Sequence, residues 1–259
     1  MAEPLSIATW NVNSARARLP RIVDWLSSAK PDVVCLQEIK CLDEQFPREP
    51  IEELGYHIET FGQKTYNGVA ILSKDTPDDV VRGFPDDEPG AQARAIAATI
   101  RGTRVLNLYV VNGKEVGDEK YDFKLRWLES LAQYVTAEFD MADRVVLTGD
   151  FNITFDDRDI YDPDAWRDKI LCSVPEREAL AKIMKPGLVD AYRHFDEEPG
   201  KYTWFDFRTR GYQRGNGLRI DHFLVSPPAL EACTGVTIDL EERGQEKPSD
   251  HCPVVATFA

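Results

Sequence analysis

The sequence predicts an α/β fold in which two β-sheets pack face to face and helices cover their outer faces. Two observations carry this expectation. Apolar runs of strand length recur along the whole chain, and amphipathic segments with apolar residues at three- and four-residue spacing fall in both halves. Nothing of low complexity divides the chain, so residues 1–259 are read as one domain large enough for a sizeable core.

Residues 5–10 form a β run, and Leu19, Ile22, Val23 and Leu26 then share one helical face, with Pro20 tolerable in a first turn. A short apolar strand follows at 32–36, then strands at 56–61 and 69–73, the latter after the turn signal Asn67-Gly68. Residues 95–100 and 104–111 read as two strands joined across Gly102. Leu128, Leu131, Ala132 and Val135 mark a second helix, and 144–147 begins another buried strand. The pattern loosens over 156–175 and resumes with a helix around Leu180, Ile183 and Met184. Strands are expected at 202–205, 218–225, 236–240 and 254–258.

The formal charge of −14 opposes a polyanionic partner, since phosphate is neutralised by Lys and Arg. The local field on a binding face matters more than the total, however. Residues 208–219 carry four arginines and no acid. The five cysteines are scattered without a CxxC spacing and read as thiols in a reducing, cytoplasmic setting. No apolar stretch reaches the ~20 residues of a spanning helix, so no membrane association is expected, and residues 1–6 lack the features of a secretory leader.

Four polar clusters stand at the ends of predicted strands: Trp10-Asn11-Val12-Asn13, Gln37-Glu38, Gly149-Asp150-Phe151-Asn152 and Ser249-Asp250-His251. Strand ends at one edge of a sandwich converge, so these groups can build one site. Asp221 is a fifth candidate, embedded in an apolar run where a charge needs a partner, and His251 is the nominee. Each has a plain alternative: a strand-ending turn for Asn11 and Asn13, a surface acid for Glu38, an Asx turn for Asp150, a cap for Asp250. Together they suit one chemistry. A hard cation such as Mg²⁺, or Mn²⁺, takes oxygen ligands, and phosphodiester hydrolysis also needs a group that orients water and positive charge for the oxyanion. Glu38, Asp150, Asp221 and Asp250 supply acids, Asn11 and Asn152 neutral donors, and His251 a proton. The P-loop, GxSxG, HExxH and GxGxxG motifs are absent.

Ala8-Thr9-Trp10-Asn11-Val12-Asn13-Ser14, Leu36-Gln37-Glu38, Gly149-Asp150-Phe151-Asn152, Gly217-Leu218-Arg219-Ile220-Asp221-His222 and Lys247-Pro248-Ser249-Asp250-His251 together resemble the exonuclease III family of abasic-site endonucleases. Gly62-Gln63-Lys64, Tyr66 to Ala70 and Tyr202 to Asp206 extend the likeness over nearly the whole chain. The resemblance implies a four-layer α/β sandwich like that of DNase I, with two mixed sheets flanked by helices. It implies Glu38 as metal ligand, assisted by Asn11 and Asp250, and Asp150 as the residue that orients the attacking water. Asn152 would bind the scissile phosphate, and His251 with Asp221 the developing charge. Tyr109 would contact phosphate or ease departure of the leaving group, a phenol able to lose its proton in a cationic site. Trp204 and Leu218 would line the pocket for a base-free sugar or a 3′-terminal nucleotide. Lys64, Arg94, Arg208 and Arg214 are further phosphate contacts on charge and position.

The implied partner is double-stranded DNA with abasic sites or 3′ ends, acted on by a monomer. Asn13 replaces an acid found in some relatives, Leu218 replaces a bulkier aromatic, and the 160–175 loop, with Trp166 and Leu171, bears on which DNA end enters. Two other readings stay open: a phosphodiesterase for a non-DNA substrate, and a catalytically impaired nucleic-acid-binding regulator on the same scaffold.

Overall fold

The structure, a computed structural model, describes residues 4–84 and 92–259, so the first three residues of the leader reading lie outside the described residues. Its strands are β1 (Leu5–Asn11), β2 (Val33–Gln37), β3 (His57–Phe61), β4 (Val69–Ser73), β5 (Asp78–Arg82), β6 (Ala95–Ile100), β7 (Thr103–Tyr109), β8 (Val145–Asp150), β9 (Val189–Asp190), β10 (Asp221–Val225), β11 (Cys233–Ile238) and β12 (Val254–Phe258). They form two six-stranded sheets, ordered β11-β12-β1-β2-β4-β3 and β5-β6-β7-β8-β10-β9. Both sheets are mixed: β1 runs parallel to β2, and β7 to β8, while the other pairs are antiparallel. A parallel pair needs a crossover, and each has a helix in it, Leu19–Ala29 in the first sheet and Glu119–Glu138 in the second.

Alternation along the strands sorts side chains into three cores. Ile7, Val33, Cys35 and Ile71 of one sheet meet Ile96, Ala98, Val105, Val146 and Phe223 of the other between the sheets. The residues next to them, Ala8, Trp10, Val34 and Leu36, face outward under Ile22, Trp25 and Leu26 of the first helix. On the far side, Ala97, Leu106 and Leu147 pack beneath Trp127, Leu128 and Leu131, joined by Leu180 and Ile183 of the helix Val174–Met184. The result is helix, sheet, sheet, helix, the four layers that the resemblance implied. All five cysteines are buried and free, and no helix among the described residues is long and apolar enough to cross a membrane.

Several predicted elements differ. Residues 202–205 are not a ladder strand. Trp204 makes single antiparallel bridges to Leu218 and to His251, because past Leu218 the chain leaves it, Arg219 bonding to the Asp159 carbonyl and Ile220 to Phe151, before β10 begins at Asp221. The 236–240 strand ends at Ile238, where the Asp239 carboxylate accepts from the Glu242 backbone and starts the helix Leu240–Arg243. The edge strand β5, Asp-Asp-Val-Val-Arg, and the two-residue β9 gave no apolar signal. The 160–175 loop includes a short helix at Pro163–Trp166 and the start of the Val174–Met184 helix, whose Ser173 and Glu176 form a capping box.

Candidate active site

Register places the polar residues in one row. Asn11 ends β1 opposite Gln37, the last residue of β2, with Glu38 next. In the second sheet Tyr109, Asp150 and Asp221 are cross-strand partners, one from each of β7, β8 and β10. Gly149 is required for this: a Cβ there would lie 1.9 Å from the Leu108 carbonyl oxygen, and its φ is +141°. Glu38 and Asn152, just past their strands, adopt left-handed backbone at φ 52° and 50°, which turns both side chains at the row's end.

The two sheets meet through Asn11. Its Nδ2 donates to Glu38 Oε1 and to Asp150 Oδ2, each at 2.9 Å, and its Oδ1 accepts from the Asn13 backbone at 3.0 Å. Asn11 therefore holds the two carboxylates with both amide hydrogens. Glu38 Oε2 takes the Lys40 ammonium at 2.7 Å, and Lys40 also donates to Asn13 Oδ1 at 2.6 Å. Asn13 in turn donates to Asp250 Oδ1 at 3.0 Å, while the Trp204 indole N–H reaches Asp250 Oδ2 at 3.1 Å. His251 Nδ1 lies 2.9 Å from Asp221 Oδ2, and its Nε2 is 3.7 Å from Asp150 Oδ2. Asp150 Oδ1 accepts from the Asn152 backbone at 2.9 Å, and Asn152 Nδ2 reaches Asp150 Oδ2 at 3.2 Å.

Burial and neighbours set the protonation states. Burial drives the Asp150 carboxyl up to about 7, against the pull of His251 and with the push of Asp221. Burial alone would lower His251, but Asp221 and Asp150 outweigh it and raise the imidazole to about 10, so it is an imidazolium at neutral pH. For Glu38 the cost of burial is overcome by Lys40 and Asn11, and for Asp250 by His251, Asn13 and Trp204; both carboxyls sit below their usual range. Burial, reinforced by Glu38 and Asp150, raises the Tyr109 phenol well above its ordinary value. In the metal-free protein the Tyr109 phenol therefore keeps its proton.

The donor set fits a hard cation. Glu38, Asp150, Asp221 and Asp250 place four carboxylates together against Lys40 and the His251 imidazolium, and Glu38 and Asp250 offer oxygen at one end of the row. Asp150, Asp221 and His251 also lie close enough to hold an ion, with one atom from each within 4.8 Å of the others. His251 Nδ1 is engaged by Asp221, and its contacts with Asp221 and Asp150 favour the imidazolium in the metal-free protein, whereas a metal-bound imidazole must be neutral.

The other expected residues divide. Arg94 is buried beside the row, its guanidinium 4.8 Å from the centre of the Tyr109 ring and its Nη1 3.1 Å from the Tyr109 carbonyl. Trp204 is half-buried over a small apolar cluster of Ile160, Leu171, Cys172, Leu218 and Ile220. Leu218 is completely covered there and lies behind Trp204. Lys64 and Arg208 are exposed on loops, and Arg214 is exposed at the end of the short helix Gly211–Arg214. Arg219, one of the four arginines in the acid-free run, is buried and paired with Asp159 and Asp190 at 2.8 and 2.7 Å, so it is not a free phosphate contact.

Some residues at the site carried no sequence signal. Asn112 Nδ2 donates to Asn152 Oδ1 at 2.9 Å. Lys124, on the long helix, is wholly buried, and its Nζ donates to the Asn152 carbonyl at 2.7 Å, to the Asn112 carbonyl at 3.3 Å and to Glu176 Oε1 at 2.5 Å. Glu176 Oε1 also accepts from the Leu171 backbone at 3.1 Å. A lysine at a helical core position, followed over 50 residues later by its acid, has no local pattern.

Comparison with known proteins agrees with this geometry. The model of the endonuclease/exonuclease/phosphatase family matches residues 8–251. Exodeoxyribonuclease III of Haemophilus influenzae is 39% identical over 98% of this chain and 100% of its own length. Among solved structures, the 3′ phosphatase NExo from Neisseria bound to a product DNA hairpin superposes with a TM-score of 0.94 at 45% identity, covering 98% of this chain and 99% of that one. An AP endonuclease from Archaeoglobus fulgidus gives 0.94 at 40% identity over the same shares. The chain belongs to the endonuclease/exonuclease/phosphatase family, within its exonuclease III and AP endonuclease group.

Proposed function

We propose that this protein is a Mg²⁺-dependent DNA-repair nuclease that cuts 5′ to abasic sites and removes nucleotides or blocking groups from DNA 3′ ends. The class of reaction, metal-dependent phosphodiester hydrolysis, is that of its family. The observation that carries the assignment of roles is the Asn11 amide, which ties Glu38 of one sheet to Asp150 of the other. It separates a cation-holding carboxylate from a water-orienting one at a fixed distance.

Glu38 and Asp250 would hold the metal, which when bound supplies positive charge to the phosphate and its developing oxyanion. Asp150, fixed by Asn11 and the Asn152 backbone, is placed to align a water and take its proton, and its raised pKa suits a base working near neutrality. The Asn152 amide, oriented by Asn112, would contact the scissile phosphate. The His251 imidazolium, held by Asp221 through Nδ1, presents its other N–H to a phosphate oxygen. Arg94 and Tyr109 would complete the phosphate contacts, and Trp204 the sugar pocket.

Two labelled duplexes test this, one with an internal abasic-site analogue and one with a recessed 3′ end, each with Mg²⁺ and with chelator. Metal-dependent product is expected on at least one, and its length separates incision from end trimming. Inertness on both would overturn the reading.

A further inference from the structure

A cationic recess lies beside the segment that carries Asp250. Phe207, Arg210, Tyr212, Arg243, Gln245 and Pro248 line a cavity of about 370 Å³, with two guanidinium groups and no carboxylate in its walls. Pro248 precedes Ser249-Asp250, so the cavity adjoins the Asp250 end of the active-site row.

Arg243 makes the recess more than a surface dip. It is only 5% exposed, and among the described residues no carboxylate lies within ion-pairing distance of it. Its guanidinium stands 4.6 Å from the centre of the Phe207 ring and 5.3 Å from that of Tyr212. Nη2 donates to the Phe205 carbonyl at 3.3 Å, and the buried Nε has no hydrogen-bond partner. Guanidinium stays charged under all ordinary conditions, so it is a buried cation with a spare donor, flanked by ring faces and supported by the Asp250 carboxylate only from beyond ion-pairing distance. Burial of that kind is costly unless an anion completes it. Arg210 stands on the rim, exposed and without an ion-pair partner among the described residues. Arginine pairs favour phosphate, whose oxygens match the guanidinium fork.

We propose that the Arg243–Arg210 recess binds a phosphate of the DNA strand a few nucleotides from the scissile bond, with Phe207 beside it for the adjoining sugar or base. This rests on the nuclease reading above. The recess supplies local positive field on a chain of net charge −14 and fixes the strand's register relative to Asp250.

The test is equilibrium binding of the recessed duplex, without Mg²⁺, by wild type, Arg243→Gln and Arg210→Ala. The second variant alters an exposed rim residue and so guards against misfolding of the first. Each variant is expected to weaken binding several-fold and to reduce the slope of log affinity against log salt by about 0.9, the loss of one phosphate contact. A series of duplexes with single neutral methylphosphonates is then compared. One position should weaken wild type clearly more than it weakens either variant, each of which keeps one arginine. Unchanged salt slopes, or penalties equal in wild type and variants at every position, would overturn the subsite. Stabilisation of wild type by inorganic phosphate, without any such duplex position, would overturn DNA as its source. Absence of DNA cleavage by wild type in Mg²⁺ would instead defeat the nuclease reading itself.

Discussion

Replacing Lys124 by methionine should damage both stability and turnover, and the two losses should respond differently to a second change. Lys124 donates at once to the Asn112 carbonyl, the Asn152 carbonyl and the Glu176 carboxylate. Removing one partner of a buried pair leaves the other charge uncompensated, at a typical cost of ~3–5 kcal/mol. Glu176 would keep donors from the Leu171 and Ser173 backbones and the Ser173 hydroxyl, so the lower end, ~3 kcal/mol, is expected. For a chain of this size that lowers Tm by about 6–12 °C. Freed from Lys124, the Asn152 loop drifts, and an ångström of misplacement costs about 100-fold in kcat/KM. Adding Glu176→Gln removes the stranded charge and should restore most of the stability. It should not restore turnover, because both carbonyls still lack their donor. Calorimetric unfolding and steady-state kinetics on the recessed duplex measure the two effects. Wild-type kcat/KM in Lys124→Met, or recovery of both properties in the double variant, would refute this account.

The protonation pattern gives further tests. In metal-free protein the His251 ring should remain protonated through pH 8, whereas His222, whose burial beside Arg219 lowers it to about 4, should remain neutral down to pH 5. Ring-carbon NMR of the four histidines checks both, and a normal titration of His251 near 6.5 would contradict the Asp221 and Asp150 contacts. Asp150 is raised in the folded state, so its stabilisation is complete below about 3.8 and lost as pH rises through about 7. Glu38 and Asp250 are lowered, so theirs is present above about 4–5 and lost as pH falls further. Tm with chelator should therefore peak on the acid side of neutrality, and Mg²⁺ should raise it most above pH 7; a Mg²⁺ effect independent of pH would count against Asp150 lying near the cation. Trp204→Ala should reduce abasic incision more than it reduces Mg²⁺ affinity, measured by cleavage and by metal titration, because the indole touches Asp250 through one hydrogen bond only.

Much of this site was legible because its residues end strands. Asn11, Glu38, Asp150 and Asp221 could be placed near one another once β1, β2, β8 and β10 were recognised as apolar runs, since register then fixes the row. The Asp221–His251 pair followed from the cost of an acid in an apolar segment. Asn112 and the Lys124–Glu176 pair were not legible because their partners are distant in sequence; Lys40 was not because, although Glu38 is two residues away, a lysine on a loop looks solvated until the fold places it. Arg219 shows the opposite error, an arginine counted with a basic loop that Asp159 and Asp190 in fact enclose. Residues 202–205 alternate like a strand, but Trp204 makes only single bridges, to Leu218 on one side and His251 on the other, with Thr203 and Phe205 adding backbone bonds to Leu218, Cys252 and Asp250. The edge strand β5 escaped because an exposed edge needs no apolar face.

The most direct measurement is cleavage of the two labelled duplexes by Asp150→Asn in Mg²⁺, with DNA affinity and unfolding followed in parallel. The amide keeps the shape of the side chain but cannot take a proton from water. Product should fall to the level seen with chelator while binding and Tm stay close to wild type. Cleavage by Asp150→Asn at the wild-type rate would contradict the assignment of the reaction to this site.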